Sequence, residues 1–332
     1  KIIGLGKYLP ENKVTNDDLP AMMDTSHDWI VERTGIEERR FIAKDSAEGT
    51  ASMGVMAAQQ AIDRAGISKD YIDLIVFATL SPDYYFPGSG VLVQDIMGIG
   101  TCPALDVRNQ CSGFIYALSV ADQYIRTGTY KNVLVIGSEH HSGGLDLTTR
   151  GRTVSVIFGD GAGAAVVSRH ENPEEGVLST HLHSEGKHAK ELSLIGPSTK
   201  KWVHEVFENY DPNDPDYHPY MNGQLVFKSA VVRFSEVIGE ALAKNNLEPS
   251  DIDMLIPHQA NLRIAQFVQK KFGLQDDQVY NNIMRYGNTT AASIPIALCE
   301  AWEEGKINSG DHVMLAAFGS GFTWGSSLIK WV

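Results

Sequence analysis

Cys111, His258 and Asn288 are the side chains of this 332-residue sequence whose surroundings suit chemistry best. Ala104-Leu105-Asp106-Val107 has the pattern of a short buried strand. Ser112 onward reads as a helix, with Phe114, Ala117, Leu118, Ala121 and Ile125 on one stripe and Gly128 ending it. Cys111 therefore falls on a strand-to-helix corner, where free N–H groups and the helix dipole favour thiolate, the nucleophilic form. A lone cysteine more often simply packs. A thiol nucleophile needs partners that polarise a carbonyl or move a proton. In Ile256-Pro257-His258-Gln259-Ala260-Asn261, Pro257 ends a strand and leaves His258 at its tip, and such tips line crevices. A hydrogen-bonded structural histidine is the plainer alternative. Asn288, in Tyr286-Gly287-Asn288-Thr289-Thr290, precedes a helix at a corresponding corner, where an N-cap is the ordinary role. Phe318-Gly319-Ser320-Gly321-Phe322 follows the last apolar strand, and its glycines let backbone N–H groups approach an oxyanion. Cys102, in a Gly/Pro turn, and Cys299, mid-helix, read as packing residues.

The elements that must hold these groups repeat. Strand-like runs alternate with helical patterns, which is an α/β signature. Ala61–Ile67 and Ile72–Ile75 return 180 residues later as Ala241–Leu247 and Ile252–Leu255. At the same offset Ala117-Leu118 returns as Ala297-Leu298, and Val133–Gly137 as Val313–Ala317. Four segments sharing one offset argue for two similar fused units with a crevice between them, since the period is far too long for a solenoid. The expected division is 1–180, carrying the cysteine, an irregular insert over 181–222, and 223–332, carrying the histidine and asparagine. The insert centres on the turn-rich Asp211-Pro212-Asn213-Asp214-Pro215-Asp216. The loop Pro82–Gly88 holds Tyr84, Tyr85 and Phe86, aromatics that ask to be covered, for which a second subunit is one candidate.

Composition narrows the class. With 43% hydrophobic and 21% charged residues, the chain is an ordinary folded protein. A charge of −13, from 28 Lys+Arg and 41 Asp+Glu, disfavours nucleic acid as a bulk partner. No run approaches the roughly 18 apolar residues of a membrane span, so no membrane association is expected. Three cysteines without a CxxC pair fit a reducing cytoplasm and argue against a disulfide scaffold or zinc knuckle. Phosphate-loop, dinucleotide, zincin and serine-hydrolase motifs are all absent. Gly159-Asp160-Gly161-Ala162-Gly163 precedes a strand and does not open a helix, so it reads as backbone packing.

Taken together, Asn109–Phe114, Pro257–Asn261, Tyr286–Thr289 and Phe318–Gly325 resemble the β-ketoacyl-acyl-carrier-protein synthase III family, as do Asp28–Ile36 and Phe158–Gly163. The resemblance runs nearly end to end. It implies a thiolase-like fold of two similar halves in five αβαβα layers, assembled as a homodimer. It implies that Cys111 takes an acyl group from acyl-coenzyme A, and that His258 and Asn288 then hold malonyl-acyl carrier protein while it loses carbon dioxide. The resulting enolate would attack the acyl-cysteine, giving 3-oxoacyl-acyl carrier protein and starting fatty acid synthesis. The backbone N–H groups of Cys111 and Gly321 would form the oxyanion hole. Neutral donors suit a negative charge developing on oxygen in a dry pocket. No metal or tightly bound cofactor is implied, coenzyme A being a substrate.

By the same resemblance Trp29 would stack on the adenine of coenzyme A, Arg33 and Arg152 would meet its phosphates, and Asn261 would line the pantetheine channel. Phe86 would enter the partner subunit's acyl pocket. An acidic carrier protein calls for a basic patch, for which Arg263, Lys270 and Lys271, joined by Lys228, are the candidates. On that helix Leu262, Ala265, Val268 and Phe272 make the expected buried stripe. Ser320 stands in a stretch that is often all glycine in the family, tolerable where the role is backbone. The insert, longer than in housekeeping members, borders the acyl pocket and leaves the starter open, including a longer or unusual one in a specialised pathway. Thiolases differ by a cysteine in the glycine loop, and elongating synthases by a second histidine where Asn288 stands. A non-catalytic carrier-protein-binding scaffold is disfavoured by the complete Cys111, His258 and Asn288 set.

Overall fold

The computed structural model describes residues 1–200 and 203–332; Lys201 and Trp202, within the expected insert, lie outside the described residues. In chain order the first half comprises β1 (Ile2–Tyr8), α1 (His27–Thr34), α2 (Thr50–Ala65), β2 (Leu74–Ala78), α3 (Ser89–Ile96), β3 (Ala104–Val107), α4 (Gly113–Arg126), β4 (Asn132–Glu139) and β5 (Gly161–Ser168). The second comprises β6 (Gly176–Ser184), α5 (Gly223–Asn245), β7 (Met254–Pro257), α6 (Leu262–Phe272), α7 (Ser293–Glu303), β8 (His312–Gly319) and β9 (Thr323–Lys330).

One sheet has the order β1-β5-β4-β2-β3 and the other β7-β8-β9-β6. In each, the strand that follows the outer helix runs parallel to its neighbour (β2 with β4, β7 with β8), and the remaining long pairings are antiparallel. A parallel bridge from Leu255 to Val279 stands where the β2–β3 pairing stands in the first sheet. β2 and β7, α4 and α7, and β4 and β8 each begin 180 residues apart, so the repeat in the sequence is a repeat in the fold. The expected boundary at 180 falls inside β6, which pairs with β9 and already belongs to the second sheet.

Period-two burial on both faces of each sheet produces the layering. Leu74, Val76 and Ala78 join a central core with α4, α7 and the facing residues Met254 and Ile256 of the second sheet. The alternate residues Ile75 and Phe77 pack outward under α2 and α3, and Leu255, Met314 and Ala316 pack outward under α5 and α6. The result is five layers, αβαβα. Gly4 and Gly6 let α2 lie directly on β1: a Cβ there would come within 2.1 Å of the Ala61 carbonyl oxygen and 2.0 Å of that of Ala57. β3 departs from the expected buried strand. It is the edge of its sheet, and Leu105 is 41% exposed. On α6 the buried residues are Ile264, Ala265 and Val268, with Leu262 and Phe272 only partly covered.

Candidate active site

The chain turns from β3 into α4 through Gln110, whose φ of 43° is left-handed and rare for a residue with a Cβ. That turn sets Cys111 at the helix start, buried, with its own N–H and that of Ser320 directed at the sulfur. Gly319 lies against it so closely that a Cβ would sit 2.4 Å from the Cys111 Cβ and 2.8 Å from Sγ. Ser112 Oγ meets Thr323 Oγ1 at 2.7 Å, tying this corner to the loop after β8. Two expectations change here. The loop N–H that faces the sulfur belongs to Ser320, one position before Gly321, because β8 ends at Gly319 and the turn begins at Ser320. Burial pushes the thiol up to about 12, and the two N–H groups offset only part of it. The buried Glu139 carboxylate pushes the same way, so the resting cysteine is a neutral thiol and not the thiolate that the helix dipole alone suggests.

His258 follows the last residue of β7, and its backbone N–H bonds to the Ala316 carbonyl of β8. Its Nδ1 lies 2.6 Å from Ser293 Oγ at the start of α7, while Nε2 is buried with no partner among the described residues. Burial holds the imidazole down to about 3, so it is neutral throughout the physiological range. Gln259 fixes the strand tip: its Nε2 donates to the Pro257 carbonyl and its Oε1 accepts from the N–H of Asn282. Asn288 is held by its own turn, with Oδ1 accepting from Thr290 N–H at 2.8 Å, which assigns that atom as oxygen and the other as the donor NH2. The helix start that corresponds to Gln110-Cys111 is Thr290-Ala291, and Thr290 is left-handed too, with φ 49°. Asn288 thus occupies the corner expected of it, three residues before the position equivalent to Cys111.

Cys111, His258 and Asn288 line one cavity of ≈ 590 Å³. Trp29, Arg33, Asn261, Lys228 and Arg263 line it as well. Arg33 and Arg152 cover Trp29, their guanidinium carbons 4.6 Å and 5.1 Å from its ring centre. Asn261 caps α6 by accepting from Arg263 N–H, and donates to the Arg33 carbonyl, tying α1 to α6. Lys270 and Lys271 sit at the far end of α6, about 10 Å along the axis from Arg263. They line none of the described cavities. Phe86 is 81% exposed and likewise lines neither cavity of its own chain.

A second cavity of ≈ 400 Å³ meets the first at Cys111. Its far wall comes from the insert, with Leu192, Leu194, Pro197 and Tyr220, where Leu192–Ser193 pairs with Tyr220–Met221. Ser320 is more than a backbone donor, because its hydroxyl bonds to the Leu192 carbonyl and so joins the glycine loop to this wall. Sequence patterns gave no signal for that contact or for Ser293. Glu139 was also missed: at the end of β4 it accepts from Thr79, Leu80 and Ser81 in one half and from Ala291 N–H in the other.

Residues 105–186 match the family profile described as 3-oxoacyl-[acyl-carrier-protein] synthase III, and residues 242–331 match the profile of its C-terminal region. The β-ketoacyl-[acyl-carrier-protein] synthase III of Aliivibrio fischeri is 48% identical over 330 residues, 99% of each chain. The 3-oxoacyl-[acyl-carrier-protein] synthase III of Aquifex aeolicus superposes with a TM-score of 0.90 at 41% identity, over 100% of this chain and 99% of that one. The Thermus thermophilus β-ketoacyl-[acyl-carrier-protein] synthase III gives 0.89 at 39% over the same shares. With the thiolase-like layering and a thiol, an imidazole and an amide brought to one cavity, these likenesses make the chain a member of the 3-oxoacyl-[acyl-carrier-protein] synthase III family.

Proposed function

We propose that this condensing acyltransferase joins an acyl-coenzyme A starter to malonyl-acyl carrier protein with loss of carbon dioxide, the initiating step of fatty acid synthesis, and that Cys111, His258 and Asn288 carry it. One observation supports the assignment of residues: a sulfur faced by two N–H groups shares a cavity with a neutral imidazole whose buried Nε2 has no partner among the described residues, and with the Asn288 amide, whose Oδ1 is already engaged by Thr290 N–H. The Cys111 sulfur attacks the starter thioester and coenzyme A leaves as the thiol, taking the proton. The malonyl thioester then loses carbon dioxide while His258 and Asn288 donate to its carbonyl oxygen, which becomes the enolate oxygen. Enolate carbon attacks the acyl-cysteine, and the N–H groups of Cys111 and Ser320 receive the new oxyanion. The sulfur leaves as the tetrahedral adduct collapses and regains its proton from solvent.

Coenzyme A reaches the sulfur through the larger cavity, with adenine on Trp29 in place of one of the two guanidinium groups that cover it. Lys228 and Arg263, which line the larger cavity, meet the acidic carrier protein, and Lys270 and Lys271, two turns further along α6, extend the same basic patch. The exposed edge of β3 and the loop bearing Phe86 form the face of a homodimer, each Phe86 entering the partner's acyl cavity. The halves meet between β5 and β6, the insert serving as acyl wall. The reaction needs no metal or resident cofactor and takes place in the cytoplasm.

The ≈ 400 Å³ cavity favours a second reading of the starter. Before the partner's Phe86 enters, it holds about thirteen water volumes, and the room beyond an acetyl group that remains beside that ring favours a longer or branched acyl group. Intact-mass spectrometry with acyl-coenzyme A thioesters from acetyl to dodecanoyl tests both readings. Adducts confined to short chains support housekeeping initiation, adducts mainly from longer chains support a specialised starter, and no adduct sinks the assignment. Cys111→Ala should take no acyl group. His258→Ala and Asn288→Ala should acylate and lose condensation by about a hundredfold or more, as oxyanion-donor removals do.

A further inference from the structure

His258 serves the reaction only in one of its two neutral forms. A proton on Nε2 makes the ring a donor to the thioester oxygen; a proton on Nδ1 would point a lone pair at a developing negative charge. What stands behind the ring therefore decides what it does in front. Behind it is Ser293, the first residue of α7, buried, with Oγ 2.6 Å from Nδ1. That oxygen already accepts from the Gln259 backbone N–H at 3.4 Å. A hydroxyl has one proton to give, and Nδ1 is the acceptor within reach of it. In front, Nε2 is buried, without a partner among the described residues, on a ring that lines the cavity shared with Cys111 and Asn288.

We propose that Ser293 is a positioning residue: its hydroxyl donates to Nδ1 and holds His258 in the form that carries its proton on Nε2. The proposal rests on the role given to His258 above. The equivalent position of the first half is Gly113, which has no hydroxyl, so the device belongs to the half that handles the malonyl thioester. Burial keeps the ring neutral near the pH of the cell, so the choice lies between two neutral tautomers and not between charge states.

Protein carrying 15N-histidine reports the tautomer directly, through long-range proton–nitrogen correlation of the His258 ring. In the wild type the expected spectrum shows a protonated Nε2 and a bare Nδ1. Ser293→Ala should populate the other tautomer and slow decarboxylation of the malonyl thioester about tenfold. That is less than the hundredfold or more lost when such a donor is removed outright. Ser293→Thr, which keeps the hydroxyl, should restore both readouts, and Cys111 acylation in each variant shows that the site has formed. A wild-type spectrum with Nδ1 protonated would overturn the proposal even if Ser293→Ala does not fold. So would a Ser293→Ala protein that keeps the Nε2–H form and full decarboxylation. If instead His258→Ala decarboxylates normally, the role of His258 fails, while the spectrum still decides whether Ser293 sets the ring.

Discussion

At the scale of single residues, the two reactive groups are tuned by burial toward neutrality. Cys111 and His258 move in opposite directions, one up and one down, and both end uncharged at pH 7. A resting thiolate–imidazolium pair is therefore not the starting point. Alkylation of Cys111 by iodoacetamide should rise about tenfold per pH unit from pH 7 to 10, because below a raised pKa the thiolate fraction grows tenfold per unit. A plateau near pH 8, followed by mass spectrometry, would contradict the burial argument. Decarboxylation should show no fall between pH 8 and 5 traceable to His258, since its proton uptake lies near pH 3. Trp29→Ala should raise KM for acyl-coenzyme A about tenfold while leaving acylation by a thioester without the adenosine moiety unchanged. Equal losses with both donors would mean that Trp29 merely supports α1.

At the scale of elements, strands, helices and turns were readable where periodicity governs them. Both strand-to-helix corners could be placed because apolar runs, the helical stripe and Gly128 all report local physics. Contacts made by single hydroxyls across long sequence distances could not. Ser293 sits 35 residues from His258, and Ser320 sits 128 residues from Leu192. No periodicity encodes such pairs. The shift of the loop donor from Gly321 to Ser320 has a similar origin, since composition marks a glycine turn but not which N–H faces inward. The exposure of Leu105 was missed because an edge strand and a central strand share the same apolar pattern. Ser320→Gly tests the tie between the glycine loop and the insert. It keeps the N–H and removes the hydroxyl bond, worth about 1 kcal/mol. Preference among starter lengths should broaden by up to about fivefold in competition assays, and an unchanged preference would mean that Leu192 is held by its own strand pairing.

For the molecule as a whole, an uncovered sheet edge and an aromatic loop on one face call for a second copy. Leu105→Lys places a charge at the centre of that face and should lower the mass measured by light scattering from dimer to monomer. On the assembly proposed above, activity should fall with it, because each acyl cavity would lose the partner's Phe86. A variant that stays dimeric would move the interface elsewhere.

Gln110 and Thr290 hold the same rare backbone conformation 180 residues apart, yet only one of the two is followed by a nucleophile. Each side-chain-bearing residue in that conformation costs about 1 kcal/mol or more. The second half thus keeps the kinked entrance to its helix although Ala291, at the place of Cys111, has no reactive atom. Such a cost, met in both halves of a repeated fold, fits two similar units that divide their labour. On the roles proposed above, one half attacks the starter, and the other uses the same corner as a cradle for the enolate. A single-residue change in either half cannot move a function across, because the two corners now present different chemistry to one shared crevice.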